Sequence, residues 1–226
     1  MTESDAAADG TTTGRLTAAQ FSQADGVEDW RVIWGAGFAA AYFATGSFRV
    51  GVALVQAIGE LAAAANHDPD VDLRPEGVTV RLFSAGTFGV TERDVSLARQ
   101  ISAAARRLQA TADPSAVQHV QVATDALDIA KVRPFWRAVL GYPEVGDADL
   151  LDGHRIGPSF WFQQMDAERP QRNRIHIDIY VPHDQVHARI EAALAAGGSI
   201  VSDANAPGWW TLADPEGNEC DLAIWG

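Results

Sequence analysis

Arg174-Ile175-His176-Ile177-Asp178-Ile179-Tyr180-Val181 alternates strictly, with Ile175, Ile177, Ile179 and Val181 on one side and His176, Asp178 and Tyr180 on the other. Alternation with period 2 is the signature of a strand with one face against a core. The other face carries an imidazole and a carboxylate instead of the Lys, Thr and Glu of a merely solvated surface. Val117-Gln118-His119-Val120-Gln121-Val122 has the same layout, with His119 at its third place and Val120 and Val122 beneath it. Each stretch is followed by a helix-like run ending at glycine, Gly141 after His119 and Gly197 after His176. The pattern reads as an internal duplication. Two copies of a strand-helix-strands unit would put His119 and His176 at equivalent places, facing each other.

At 226 residues the chain is long enough for one large domain or two of about 100 each. An apolar share of 47% with 8% aromatic is that of a globular protein. The net charge of -13 and a pI near 4.7 argue against a nucleic-acid or anionic-membrane surface, because phosphate binding needs clustered Lys and Arg. Small molecules and proteins are the partners left. A single cysteine, Cys220, rules out an intrachain disulfide and suits a reducing compartment. No apolar run reaches the roughly 18 residues of a membrane helix, and the N-terminus lacks a basic, then apolar, signal pattern. The expected location is the cytoplasm. Residues 1–14 are small and polar and are expected to be a disordered tail.

In the first half, Leu16 to Trp30 reads as a helix capped by Thr17. The aromatic-rich stretch 34–45 reads as one or two short strands. Ser47 opens a long helix through Ala65, with Phe48, Val52, Val55, Ile58 and Leu61 at spacings of 3 and 4. Asn66-His67-Asp68-Pro69 stops it, since the residue before proline leaves the helical region. Val71 to Leu73 and Gly77 to Phe83 read as strands. Thr91-Glu-Arg-Asp94 has the spacing of a capping box and starts a helix to about Leu108. The order gives an α+β layer, helices over one antiparallel sheet.

His67-x-Pro69, Val78-x-Val80-x-Leu82 and Gly89-Val-Thr-x-x-Asp94, together with the preceding amphipathic helix, resemble the pterin-4a-carbinolamine dehydratases over about residues 16–110. That resemblance implies a hydro-lyase of the 4a-hydroxytetrahydrobiopterin dehydratase type, acting on a pterin-like small molecule with no cofactor in this domain. The family handles the reaction with three histidines, and imidazoles suit the removal of a hydroxyl as water because they titrate near neutral pH. Here the first is His67, the second is Asp68 and the third is Ala85; a glutamate one turn earlier is Ala63. The implied site is therefore altered, with His67 as the acid-base group and Asp68 as its partner. A bound but unconverted pterin, or a scaffold in which His67 only closes its helix, are the competing readings.

In the second half, residues 111–116 read as a linker between a domain over 15–110 and one over 117–226. The expected elements are the His119 strand, a helix over Asp125 to Gly141 with Phe135, Trp136, Val139 and Leu140, and strands at Leu150 to Ile156 and Ser159 to Gln164. The second copy continues with a helix over Asp184 to Ala196. Its strands fall at Ser199 to Asp203, Trp209 to Leu212 and Glu219 to Trp225, the last after the turn at 214–218. Phe135-Trp136-x-x-Val-Leu-Gly141, Asn173-Arg-Ile-His-Ile-Asp178 and the Asp-Pro-Glu-Gly-Asn turn resemble the glyoxalase and bleomycin-resistance superfamily, the vicinal oxygen chelate proteins, over about residues 115–226.

That second resemblance implies tandem βαβββ units curled into a glyoxalase-like cup that holds a divalent metal. The implied ligands are His119, His176 and Asp221, with Glu219 on the same face as Asp221 as the other candidate carboxylate. Such a set suits Fe, Mn, Ni or Zn and leaves room for two substrate oxygens. Gln163 or Gln164 could reach a fourth position. Asp178, Trp161 and Trp209 are the expected substrate-binding residues, the two indoles either stacking on a planar ligand or serving as core. The leading expectation is the altered dehydratase fused to this cup. The alternatives are a metal-dependent glyoxalase- or dioxygenase-type enzyme acting through the second domain, and a non-catalytic ligand-binding or dimerisation protein. Both resemblances imply a homo-oligomer, most simply a dimer.

Overall fold

The computed structural model describes residues 14–33, 37–87, 89–130, 132–133, 142–167, 175–195, 197–213 and 219–224. The expectations placed on residues 1–13, 34–36, 88, 131, 134–141, 173–174, 196, 214–218 and 225 lie outside them. The chain divides into two compact units, Met1–Trp30 with Gly37–Ala112, and Arg31–Ala36 with Asp113–Gly226.

In chain order the first part holds α1 (Ala18–Ser22), β1 (Arg31–Ile33), β2 (Phe38–Ala44), α2 (Phe48–Ala65), β3 (Asp70–Leu73), β4 (Gly77–Leu82), α3 (Glu92–Arg107) and β5 (Thr111–Ala112). Strand β1 falls in the short stretch grouped with the second unit. Within the first unit β4 pairs antiparallel with β2 and β3, and β5 pairs with β2. The expected helix from Leu16 to Trp30 ends at Ser22, because Gly26 takes φ +79° and its N–H donates to the Glu28 carboxylate at 3.0 Å. The expected 111–116 linker carries β5 and a tight turn at Pro114–Ala116.

Helix α2 begins where the Ser47 hydroxyl accepts from the Val50 N–H at 3.3 Å and ends where Asn66 turns left-handed at φ +48°. Its buried stripe is Gly51, Leu54, Ile58 and Ala62, at helical spacing. A Cβ at Gly51 would sit 2.5 Å from Leu73 Cδ1, so glycine is what lets the helix approach β3 this closely. With 18 residues and a mean hydropathy of 1.4, α2 is long and apolar enough by composition to cross a membrane. The expectation of no such run is thereby corrected; 22% of those 18 residues are buried, through the stripe, while Phe48 and Val52 stay exposed.

The second unit contains β6 (His119–Ala126), β7 (Glu144–Val145), β8 (Asp149–Leu150), β9 (Ser159–Gln164), β10 (Ile175–Tyr180), α4 (Val186–Ala195), β11 (Ser199–Ser202), β12 (Trp209–Ala213) and β13 (Glu219–Ala223). They form an eight-stranded sheet in the order β11-β12-β13-β10-β6-β9-β8-β7. Ile175–Tyr180 is thus a central strand, antiparallel to β6 and parallel to β13. The expected strand from Leu150 to Ile156 stops at Leu150. There the Asp152 carboxylate accepts from the N–H groups of His154, Ile156 and Gly157, folding the chain into a loop. Asp125 lies in β6 and not at a helix start. Cover over the β10 apolar face comes from α4 at one end: Val181, Val186, Ile190, Trp210, Leu212 and Leu222 form a core cluster with Ile179 packed against it. Ile177, two residues further from that end, stays 44% exposed.

Candidate functional site

The first unit places His67 two residues past the end of α2, directly after the Asn66 cap, with its backbone N–H donating to the Ala62 carbonyl at 3.0 Å. Its Nε2 lies 2.7 Å from Oδ1 of Asp94, a carboxylate with no solvent exposure. Asp94 is the third residue of α3 and closes the capping box. Its Oδ2 accepts from the Thr91 N–H at 2.7 Å, the Thr91 hydroxyl at 2.9 Å and the Ser84 hydroxyl at 2.7 Å. Asp94 therefore serves as an acceptor throughout. That makes Nε2–H of His67 the donor and leaves the lone pair on Nδ1.

The Arg93 guanidinium donates to the carbonyls of Ala65 and Asn66, at 3.3 and 2.7 Å, and ties the start of α3 to the end of α2 beside the imidazole. Asp68, the expected partner, is exposed, as are Ala63 and Ala85. The carboxylate that meets the imidazole is Asp94, 27 residues away in sequence.

In the second unit three side chains converge on one face of the sheet. His176, Asp178 and Asp221 each offer a ligand atom, all within 4.8 Å of one another. Alternation puts His176 and Asp178 on one face of β10, and the parallel pairing of Asp178 with Asp221 brings the second carboxylate alongside. His176 Nε2 is 3.3 Å from Asp178 Oδ1 and 3.8 Å from Asp221 Oδ2. Asp178 is 5% exposed, and its Oδ1 receives no hydrogen bond among the described residues. The other oxygen of each carboxylate is tied: Trp161 Nε1–H donates to Asp178 Oδ2 at 3.0 Å, and the Thr211 hydroxyl donates to Asp221 Oδ1 at 2.7 Å.

The Asp178 carboxylate raises the His176 imidazole above its ordinary pKa against the opposing effect of burial, with Asp221 and Asp125 adding to the rise. Burial likewise raises Asp221, against the Thr211 hydrogen bond and the imidazole, and burial raises Tyr180. A buried carboxylate beside a half-buried one, with His176 Nε2 3.3 Å from Asp178 Oδ1, favours a positive charge between them. The imidazolium supplies one charge and a divalent cation would supply two. The Asp178 oxygen that accepts no hydrogen bond among the described residues and the N, O, O donor set fit such an ion.

His119 is not part of this cluster. In the β6–β10 register Tyr180 faces His119, Asp178 faces Gln121 and His176 faces Ala123. The same sequence offset separates His119 from His176 and Gln121 from Asp178, so the local two-fold of the duplication passes through the Gln121–Asp178 pair. The two histidines are equivalent, as expected, but sit to either side of that axis. Four residues of strand, about 14 Å, separate His119 from the position opposite His176, too far for one ion.

The first copy has its own version of the triangle, with Ser159 paired to Gln121 as Asp221 is to Asp178. His119 Nε2 lies 3.3 Å from Ser159 Oγ there. Gln121 and Ser159 replace the two carboxylates, so those two positions offer no anionic oxygen.

A cavity of about 730 Å³ opens over the charged triangle, lined among others by Trp161, Gln163, Tyr180, Trp209, Thr211 and Glu219. Trp209 is 41% exposed there, and Trp161 is part of the wall, so both expected indoles face the cup. Gln163 lines it too, whereas the Gln164 amide turns to the backbone carbonyls of Leu127 and Met165. Glu219 shares the face of Asp221, and it is Asp221 that joins the triangle.

The signal for Asp178 as a member of the triangle is its alternation with His176. Asp94 as the imidazole's partner was hidden behind its helix-capping role.

Comparison with known proteins falls on the same division. Residues 14–104 match the family model for pterin 4 alpha carbinolamine dehydratase, and residues 121–223 match a glyoxalase-like domain. The chain thus carries a pterin dehydratase-like domain followed by a glyoxalase-like domain, as the sequence motifs lead one to expect. A Nocardia farcinica protein named for pterin-4-alpha-carbinolamine dehydratase is 45% identical over 60 residues, 26% of this chain and 63% of that protein. The chain spans about three fifths of the length of the curated relatives it matches.

Among solved structures, a transcriptional coactivator/pterin dehydratase from Brucella melitensis is 25% identical, with 40% of this chain and 98% of that one covered at a TM-score of 0.37. A glyoxalase/bleomycin resistance protein/dioxygenase superfamily member from Vibrio splendidus is 15% identical, covering 48% and 99% at a TM-score of 0.33.

Proposed function

We propose that the first unit is a hydro-lyase that dehydrates a 4a-hydroxy pterin with His67 as its acid-base group. The observation that carries this reading is the 2.7 Å contact between His67 Nε2 and buried Asp94. A carbinolamine bears a hydroxyl and an amine on one carbon. Loss of water breaks the C–O bond, takes a proton from the amine nitrogen and leaves a C=N bond. With Nε2–H committed to Asp94, Nδ1 is the ring nitrogen available to the substrate. As imidazolium it gives the departing hydroxyl its proton, and as imidazole it takes the amine proton, so one group closes the cycle. Asp94 holds the ring and the tautomer, the role expected earlier of Asp68. The family match over residues 14–104 supports the substrate class.

The test is dehydration of a 4a-hydroxy pterin by the full chain, with Asp94→Asn and Asp68→Asn compared. Asp94→Asn is expected to lower turnover far more than Asp68→Asn. The reverse order returns the partner role to Asp68.

A second reading has its own observation, the triangle of His176, Asp178 and Asp221. In this reading those three residues hold a divalent ion of the Fe, Mn, Ni or Zn group in the cup, with Trp209 and Trp161 flanking a planar substrate. The ion when bound would polarise a pair of neighbouring substrate oxygens. The chain's own residues orient the ligand against the indoles and exclude water along the Tyr180 wall. Because the first copy carries Gln121 and Ser159, one ion per chain is expected. Metal analysis of protein purified without chelator checks this, and two ions per chain would contradict the assignment.

Assembly as a homodimer and a cytoplasmic location belong to the same proposal. Phe48 and Val52, 54% and 46% exposed on successive turns of α2, are the apolar surface a second copy would cover. Phe48→Glu is expected to shift the chain toward monomer in light scattering, and an unchanged mass would remove α2 as the contact.

A further inference from the structure

Asp178 and Asp221 are each pinned through one oxygen and presented through the other. Asp178 Oδ2 takes the Trp161 indole N–H and Asp221 Oδ1 takes the Thr211 hydroxyl, while Asp178 Oδ1 and Asp221 Oδ2 are the oxygens nearest His176 Nε2. The two donors come from different strands, β9 and β12, on either side of the carboxylates they hold. Both are neutral, so they fix the carboxylates without cancelling their charge. A carboxylate free at both oxygens can rotate or bind an ion through both; one held at a single oxygen offers one ligand atom in one direction. The pinning reaches across the duplication, since Trp161 belongs to the first copy and Asp178 to the second.

We propose that Trp161 and Thr211 are positioning residues for a divalent cation, each holding one oxygen of a carboxylate so that the other is aimed at an ion beside His176. This rests on the metal reading of the second unit and adds which residues shape the site and which ion suits it. One imidazole and two carboxylate oxygens make a harder donor set than the two imidazoles and one carboxylate expected from sequence. That moves the preference from nickel and zinc toward Mn(II). Trp161 also lines the cavity, so a ligand lying on the indole would meet the same side chain that orients Asp178.

The experiment uses the full chain, stripped with chelator and titrated with Mn(II), free ion being followed by electron paramagnetic resonance. Trp161→Phe keeps the ring and removes the N–H. Thr211→Val keeps the shape and removes the hydroxyl, while Thr211→Ser restores it.

The wild type is expected to bind one Mn(II) per chain. Trp161→Phe and Thr211→Val should each weaken binding by about 10- to 100-fold, the usual effect of losing an outer-shell partner. Thr211→Ser should bind like the wild type, and the metal-free melting temperatures of the threonine variants should agree. A purely structural role would move melting and leave affinity alone. Equal affinity in wild type, Trp161→Phe and Thr211→Val overturns the positioning role while the metal reading stands. No Mn(II) bound to the wild type overturns both. Should Trp161→Phe fail to fold, the Thr211 pair decides alone.

Discussion

Asp178→Asn is expected to abolish stoichiometric metal binding in the second unit. The change is isosteric and keeps a carbonyl oxygen for the Trp161 N–H, so the wall of the cup is preserved. It removes one of the two negative charges in the triangle and the bare oxygen that lies 3.3 Å from His176 Nε2. Losing an outer-shell partner already weakens metal sites by about 10- to 100-fold, and loss of a direct anionic ligand is expected to exceed that. Melting gives a second measure. A ligand at 100 times its dissociation constant stabilises the folded state by about 2.7 kcal/mol. Wild-type protein should therefore melt higher in saturating Mn(II), and Asp178→Asn should melt at the same temperature with and without the ion. A metal-dependent rise that survives in the variant would remove Asp178 from the ligand set.

The second large effect falls in the other unit. His67→Ala is expected to lower the dehydration rate by about 10²- to 10⁴-fold, the range for loss of a positioned acid-base group. One imidazole stands where the resembled family has three, so no neighbouring histidine can take over. The variant also strips Asp94 Oδ1 of its donor. Leaving a buried acceptor unsatisfied costs about 1–3 kcal/mol, so a lower melting point should accompany the rate loss. His67→Gln separates the two, because its amide can still donate to Asp94 but cannot carry a proton at neutral pH. It should recover much of the stability and none of the rate. Recovery of rate in His67→Gln would show that the ring's acid-base chemistry is not used.

What the sequence made legible is local. Ser47 opening α2, Thr91 and Asp94 boxing the start of α3, and Ser159 to Gln164 as β9 all follow from capping chemistry or alternation within a few residues. The duplication, too, was visible in the repeated His-Val/Ile alternation. Register was not. Alternation states which face His119 and His176 occupy, and both do lie on the same face of the sheet. Nothing local states that β6 and β10 run antiparallel with Asp178 opposite Gln121, and that offset alone moves His119 out of the charged triangle. The His67–Asp94 contact was hidden for a related reason: a carboxylate with a sufficient local role at a helix start gives no sign of a second partner far back in the chain. Asp68 was the neighbour in sequence, and exposure sends it elsewhere.

Turnover of a pterin carbinolamine by His67 in the first unit is expected to be independent of any metal in the second. The most direct measurement is the rate at which the full chain dehydrates a 4a-hydroxy pterin in excess chelator, read by the absorbance change of the pterin ring, with His67→Ala run beside it. Turnover is expected to be undiminished by chelator and lost in the variant. A wild-type rate no faster than His67→Ala, or one that vanishes with the metal, would contradict that expectation.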